Sequence, residues 1–144
     1  EESDEKIIGS YFHVLNDLER IGDHAENFHE IGIELMEKNI TFSEIAQNGI
    51  ASMRENIMKM FVISKDAFEN LNKEHLPELT QLEDGVDVMK KQIITNHFER
   101  LAEGNCTLEG SPYFSSVIVG LERVADHLVN VGYSIKNPTG SQNY

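Results

Sequence analysis

Apolar residues recur at spacings of three and four along almost the whole chain, the mark of helices with one face turned inward. The first run carries Tyr11, Val14, Leu18, Ile21, Ala25, Phe28, Gly32 and Leu35. Asp4 is placed to cap its start, and Lys38-Asn39 to end it. Thr41-x-x-Glu44 reads as a capping box that opens a second run through Ala46, Ile50, Met53, Ile57, Met60, Ser64, Ala67 and Leu71. Pro77 suits the first turn of a third helix, with a stripe of Leu79, Leu82, Val86, Met89 and Ile93 and an end near Glu103, before Gly104-Asn105. Ser111 and Pro112 form a cap and first turn for a fourth, whose stripe is Phe114, Val117, Leu121, Val124, Leu128, Val131 and Ile135.

No strand pattern remains, so the fold class is all-α. Four helices with short connections imply an up-and-down antiparallel bundle. Its first two rods are long enough to exceed about thirty residues, or roughly 45 Å, each. We assign residues 1–137 to the bundle and 138–144 to a flexible tail, because Asn137-Pro138 and Gly140 stop the fourth helix. The chain opens on Glu1 rather than Met and reads as part of a larger protein.

Charge narrows the partners. The 144 residues carry 25 acidic and 12 basic side chains, a net charge of −13. Such a surface repels phosphate backbones and anionic lipid, so nucleic acid and direct membrane insertion are not expected partners, whereas cations are. No stretch reaches the roughly 18 apolar residues of a membrane span. The single Cys106 has no internal disulfide partner and no base pattern beside it, which fits a reducing compartment and no nucleophilic role.

The chain also repeats itself. Leu18-Glu19-Arg20-Ile21-Gly22-Asp23-His24-Ala25-Glu26-Asn27 matches Leu121-Glu122-Arg123-Val124-Ala125-Asp126-His127-Leu128-Val129-Asn130 at six of ten positions. The first helix is thus the counterpart of the fourth. A shorter echo, Leu82-Glu83-x-x-x-Asp87, lies on the third. Composition alone would place Leu-Glu-x-x-x-Asp only about 0.07 times in such a chain.

Residues four apart share a helix face, with Cβ atoms about 5–6 Å apart. Each Glu and its Asp therefore sit together at the shoulder of the apolar stripe. Where two such shoulders meet, four carboxylates converge and raise one another's pKa, a penalty that a multivalent cation removes. All-oxygen donors suit calcium, magnesium, manganese or ferric iron, and the spacing selects none of them. The bland alternative is a solvated acidic face. His24 and His127 lie about 100° round the helix from their neighbouring Asp, which favours interface hydrogen bonding over ligation. Arg20 and Arg123 are expected to balance nearby carboxylates such as Asp23 and Asp126, with phosphate contact as the lesser reading.

At these residues the chain resembles the PhoU family of phosphate-uptake regulators, whose helices repeat Glu/Asp-x-x-x-Asp motifs in strings like Leu18–Asn27. The resemblance implies a regulatory, non-catalytic domain of tandem three-helix bundles with surface metal sites. Carried over, Glu122 and Asp126 pair with Glu83 and Asp87 in one bundle, formed by helices two to four. Glu19 and Asp23 belong to the other, where the two helices that precede the first in the family are absent. That second site is then incomplete or completed by another molecule, and a homodimer is one expected assembly. Similar domains form the cytoplasmic C-terminus of bacterial sodium/phosphate cotransporters, which implies a cytoplasmic location at the inner face of the membrane and a membrane transporter domain as partner. Two other classes compete. A ferritin-like di-iron enzyme needs two Glu-x-x-His motifs, of which only Glu26–His29 is present. A histidine phosphotransfer or dimerisation module would use His24, His29 or His127.

Overall fold

The computed structural model describes residues 2–136, and the tail expected over 138–144 lies outside them. Four helices follow in order: α1 Glu2–Glu37, α2 Glu44–Asn70, α3 Leu76–Ala102 and α4 Ser111–Tyr133. Among the described residues there is no strand. None of these helices is long and apolar enough to cross a membrane.

Local chemistry sets most boundaries where expected. Asn39 takes a left-handed φ of 53°, and the Ile40 amide returns to the Leu35 carbonyl at 2.8 Å, closing α1. Gly104, with φ +75°, repeats the device at the end of α3, where the Asn105 amide reaches the Arg100 carbonyl at 2.8 Å. Pro77 and Pro112 occupy first turns, where the missing N–H costs nothing.

Three caps differ from the expectation. Asp4 lies inside α1 rather than at its cap. α2 is capped by Ser43, whose Oγ accepts from the Ala46 amide at 3.2 Å, while Thr41 lies outside the helix. This starts α2 at Glu44 and holds it to 27 residues against 36 for α1. Ser111 is helical and caps nothing; its hydroxyl meets His97 Nε2 at 2.8 Å.

α4 is the hub. It packs against α1, α2 and α3, whereas α1 packs along α4 alone, apart from a Tyr11–Phe68 edge contact with ring centres 6.0 Å apart. Helices α2–α4 thus close a three-helix bundle, and α1 lies antiparallel on the outside of α4. The core runs through Met53, Met60, Leu79, Val86, Phe114 and Ile118, all at most 1% exposed. Burial of each such side chain contributes about 1.5–3 kcal/mol. Gly132 lets α4 approach closely: a Cβ there would stand 2.5 Å from Leu79 Cδ2. The neighbouring Ser64 is buried but satisfied, donating to the Leu128 carbonyl at 2.7 Å.

The stripe read along α1 divides. Val14, Ile21 and Phe28 turn toward α4, while Leu18 and Ala25 are exposed, as are Phe12 and Leu15. The repeat shows what this open face is. Tyr11, Leu15, Gly22 and Ala25 correspond to Phe114, Ile118, Ala125 and Leu128, which α4 buries in the bundle.

Candidate functional site

The acid pairs of α3 and α4 meet. Antiparallel packing of these helices brings Glu83 opposite Asp126 and Asp87 opposite Glu122. The order follows from direction: along α3 the pair reads Glu then Asp, and along α4 it runs past in reverse. Apolar neighbours Leu82, Val86, Leu121 and Ala125 seat the two shoulders together, leaving Glu83, Asp87, Glu122 and Asp126 half-buried.

Crowding of four acids in a partly dry seam changes their ionisation. Burial pushes Glu83 up to about 7, helped by its hydrogen bond to Asp126 and by the charges of Asp126, Asp87 and Asp84. Asp126 is raised as well, chiefly by burial. The neutral Glu83 carboxyl is therefore the donor to the Asp126 carboxylate. Burial also raises Asp87, followed by the charges of Glu122 and Asp126 and by a hydrogen bond to Glu122. One cation enters the seam: the Lys90 ammonium bonds Glu122 Oε2, with side-chain exposures of 30% and 19%. Its charge works against the upward shifts of Asp87 and Asp126.

The donors are thus four carboxylates without thiolate or imidazole, a set suited to a hard multivalent ion. As they stand, the carboxylates are turned onto one another and onto Lys90. Among the described residues no three His, Cys, Asp or Glu side chains already surround one point. The chemistry of the set fits such an ion, with the Lys90 ammonium as the positive charge now among the four acids.

Glu19 and Asp23 are not part of this seam. Both are exposed on α1, in the open face that corresponds by repeat to the seam-facing side of α4. Glu26 and His29 are exposed on α1 too, outside any bundle core that a di-iron centre would need.

The two copies of the decapeptide face each other across α1 and α4. The His24 and His127 rings lie tilted at 33° to each other with centres 6.0 Å apart. His127 Nδ1 lies 2.8 Å from Asp17 Oδ1, and Asn130 Nδ2 donates to the same oxygen at 3.1 Å. The histidines therefore serve the interface, as their angular position suggests. Burial lowers the pKa of His24, and the charges of His127, Arg123 and Arg20 lower it further. The two arginines thus sit by the histidine pair, and neither closes an ion pair with Asp23 or Asp126 among the described residues. The symmetry is broken at one point. Asp17 has Gly120 as its repeat counterpart, and Phe28 fills the space there, with its Cε1 only 2.6 Å from where a Cβ would stand.

Lys90 and Asp17 were the residues that motif reading passed over. Lys90 was within reach of it, since Glu83, Asp87 and Lys90 follow at i, i+4 and i+7 along one face. Asp17 pairs across two helices far apart in sequence, which no local spacing reveals. A cavity of about 160 Å³ lies at the far end of the bundle, where His97 and Cys106 form part of the wall with Thr41, Ser43 and Thr107. Burial lowers the pKa of His97, and its Nδ1 has no hydrogen-bond partner.

Comparison with known proteins agrees with this architecture. The PhoU domain family matches residues 50–135, more than half of the chain. The phosphate-specific transport system accessory protein PhoU homolog 1 of Thermotoga maritima is 31% identical over 119 residues, covering 81% of this chain and 49% of that protein. A phosphate-specific transport system accessory protein PhoU homolog of Clostridium acetobutylicum is 27% identical over 118 residues, covering 82% and 52%. The chain spans about half the length of these curated relatives. No solved structure matches it. With a three-helix bundle over the matched span and the acidic motifs paired within it, the chain belongs to the PhoU domain family.

Proposed function

We propose that this chain is a regulatory, non-catalytic domain that controls phosphate transport, with a multivalent cation held between α3 and α4. Glu83, Asp87, Glu122 and Asp126 are its ligands in this reading, and the exposed Glu19 and Asp23 are half of a second site. A membrane-embedded phosphate transporter, such as a sodium/phosphate cotransporter to which the domain is attached, is the partner. The names of both relatives tie them to phosphate-specific transport, which supports that assignment.

One observation carries the cation: two acid pairs from separate helices converge in a half-buried seam, where burial, and after it the neighbouring acids, lifts Glu83 to about 7. A hard ion there takes the place of the proton that Glu83 holds toward Asp126 and supplies positive charge to the four acids. The donor oxygens favour iron, calcium, magnesium or manganese over softer metals.

The test is elemental analysis of the purified chain beside the double variant Glu122→Gln, Asp126→Asn, with circular dichroism on both. The wild type should retain a multivalent ion, and the variant should hold fewer ions at unchanged helical content. Equal metal content in the two would overturn the assignment.

A further inference from the structure

We infer that Lys90 is a tethered counter-ion of the α3–α4 seam, which a multivalent cation must displace in order to bind. This rests on the cation reading above and adds to it a residue that sets how readily the site loads.

The geometry is specific. Lys90 follows Glu83 and Asp87 on the same face of α3, one further turn along. Its ammonium bonds Glu122 across the seam and lies close enough to influence Asp87 and Asp126. It is the one basic side chain paired with any of the four carboxylates among the described residues. Lys91, next in sequence, is exposed and has no such contact.

An ammonium supplies one charge and donates hydrogen bonds; it cannot accept ligand oxygens. While it holds Glu122 Oε2, that oxygen is unavailable to another cation. A multivalent ion brings more charge to the same oxygens, but loading it breaks the Lys90 bond and sets two positive charges side by side. Lys90 thereby lowers affinity and stabilises the unloaded seam. Its flexible four-carbon stem lets the head swing out to solvent once displaced, so the exchange needs no backbone movement. The outcome is a threshold: weak or dilute cations leave Lys90 in place.

The experiment compares Mn²⁺ binding to the wild type, Lys90→Gln and Lys91→Gln by calorimetry, with Glu122→Gln as a further arm. Each Lys variant removes one positive charge, so a general charge effect acts on both. Lys90→Gln should bind Mn²⁺ about threefold to fivefold more tightly than wild type, in keeping with the worth of a partly exposed ion pair, and Lys91→Gln should stay within about twofold. A second readout follows the ammonium directly. Acetylation of Lys90 by an amine-reactive reagent, read by mass spectrometry, should speed up when Mn²⁺ is added to the wild type, with Lys91 unchanged. Equal affinity of the wild type and Lys90→Gln, or Lys90 acetylation indifferent to Mn²⁺, overturns the role of Lys90 alone. Absence of Mn²⁺ binding in every variant, or binding unaffected by Glu122→Gln, overturns the cation site and this inference with it.

Discussion

Replacing Glu83 by Gln isolates the electrostatic cost of the seam. Gln is close in shape and can donate to Asp126 as the neutral carboxyl does, but it cannot ionise. The folded chain raises Glu83 from 4.5 to about 7. Unscreened, that rise is worth ~3.4 kcal/mol against the ionised form. Glu83 keeps some contact with solvent, so screening takes the figure to about 1–2 kcal/mol. The sign follows from linkage. A carboxyl raised on folding loses nothing below its unfolded pKa, and its contribution to stability falls as pH rises through the folded value. The wild type in a chelating buffer should thus lose stability between about pH 4.5 and 7, a titration belonging to the Glu83–Asp126 pair. Glu83→Gln should match the wild type near pH 4.5 and exceed it by about 1–2 kcal/mol at pH 8, or roughly 3–6 °C in melting temperature. Urea melts at half-unit pH steps measure this. A gap between the two proteins that stays the same from pH 4.5 to 8 would refute the reasoning.

Two further substitutions probe how α1 is seated. Gly120→Ala brings a Cβ to 2.6 Å from Phe28 Cε1; overpacking of about 1–3 kcal/mol exceeds the ~1 kcal/mol helix gain and falls on the α1 contact. Hydrogen exchange should then accelerate in α1 and stay unchanged in α3. Asp17→Ala strips the acceptor shared by His127 and Asn130, at a cost of about 1–3 kcal/mol. Limited proteolysis should cut α1 sooner, and an unaltered cleavage pattern would count against the seat being held there.

The helices were legible because their periodicity is local, and so were both glycine- or asparagine-led stops at Asn39 and Gly104. The meeting of Glu83 and Asp87 with Glu122 and Asp126 was legible for a different reason: spacing puts the motif on the shoulders of three helices, and the family resemblance implies which two of them pair. Caps were less so. Thr41, Ser43 and Glu44 offer overlapping capping patterns, and which hydroxyl wins depends on where the α1–α2 connection turns. The stripe on α1 divides because this helix carries apolar residues on two faces, and spacing alone does not say which face has a neighbour. Lys90 stands outside any ligand motif, because ligand patterns are made of acids and the seam's own cation is of the opposite sign.

The hub position of α4 gears the two sides of the molecule together. A slide of α4 by even the ~1.5 Å rise of one residue would pull His127 off Asp17 and lift Gly120 from under Phe28 on one side. On the other it would carry Glu122 and Asp126 out of register with α3. Any event that slides α4 along α3 is therefore felt at the α1 seat, through one continuous helix with no loop between.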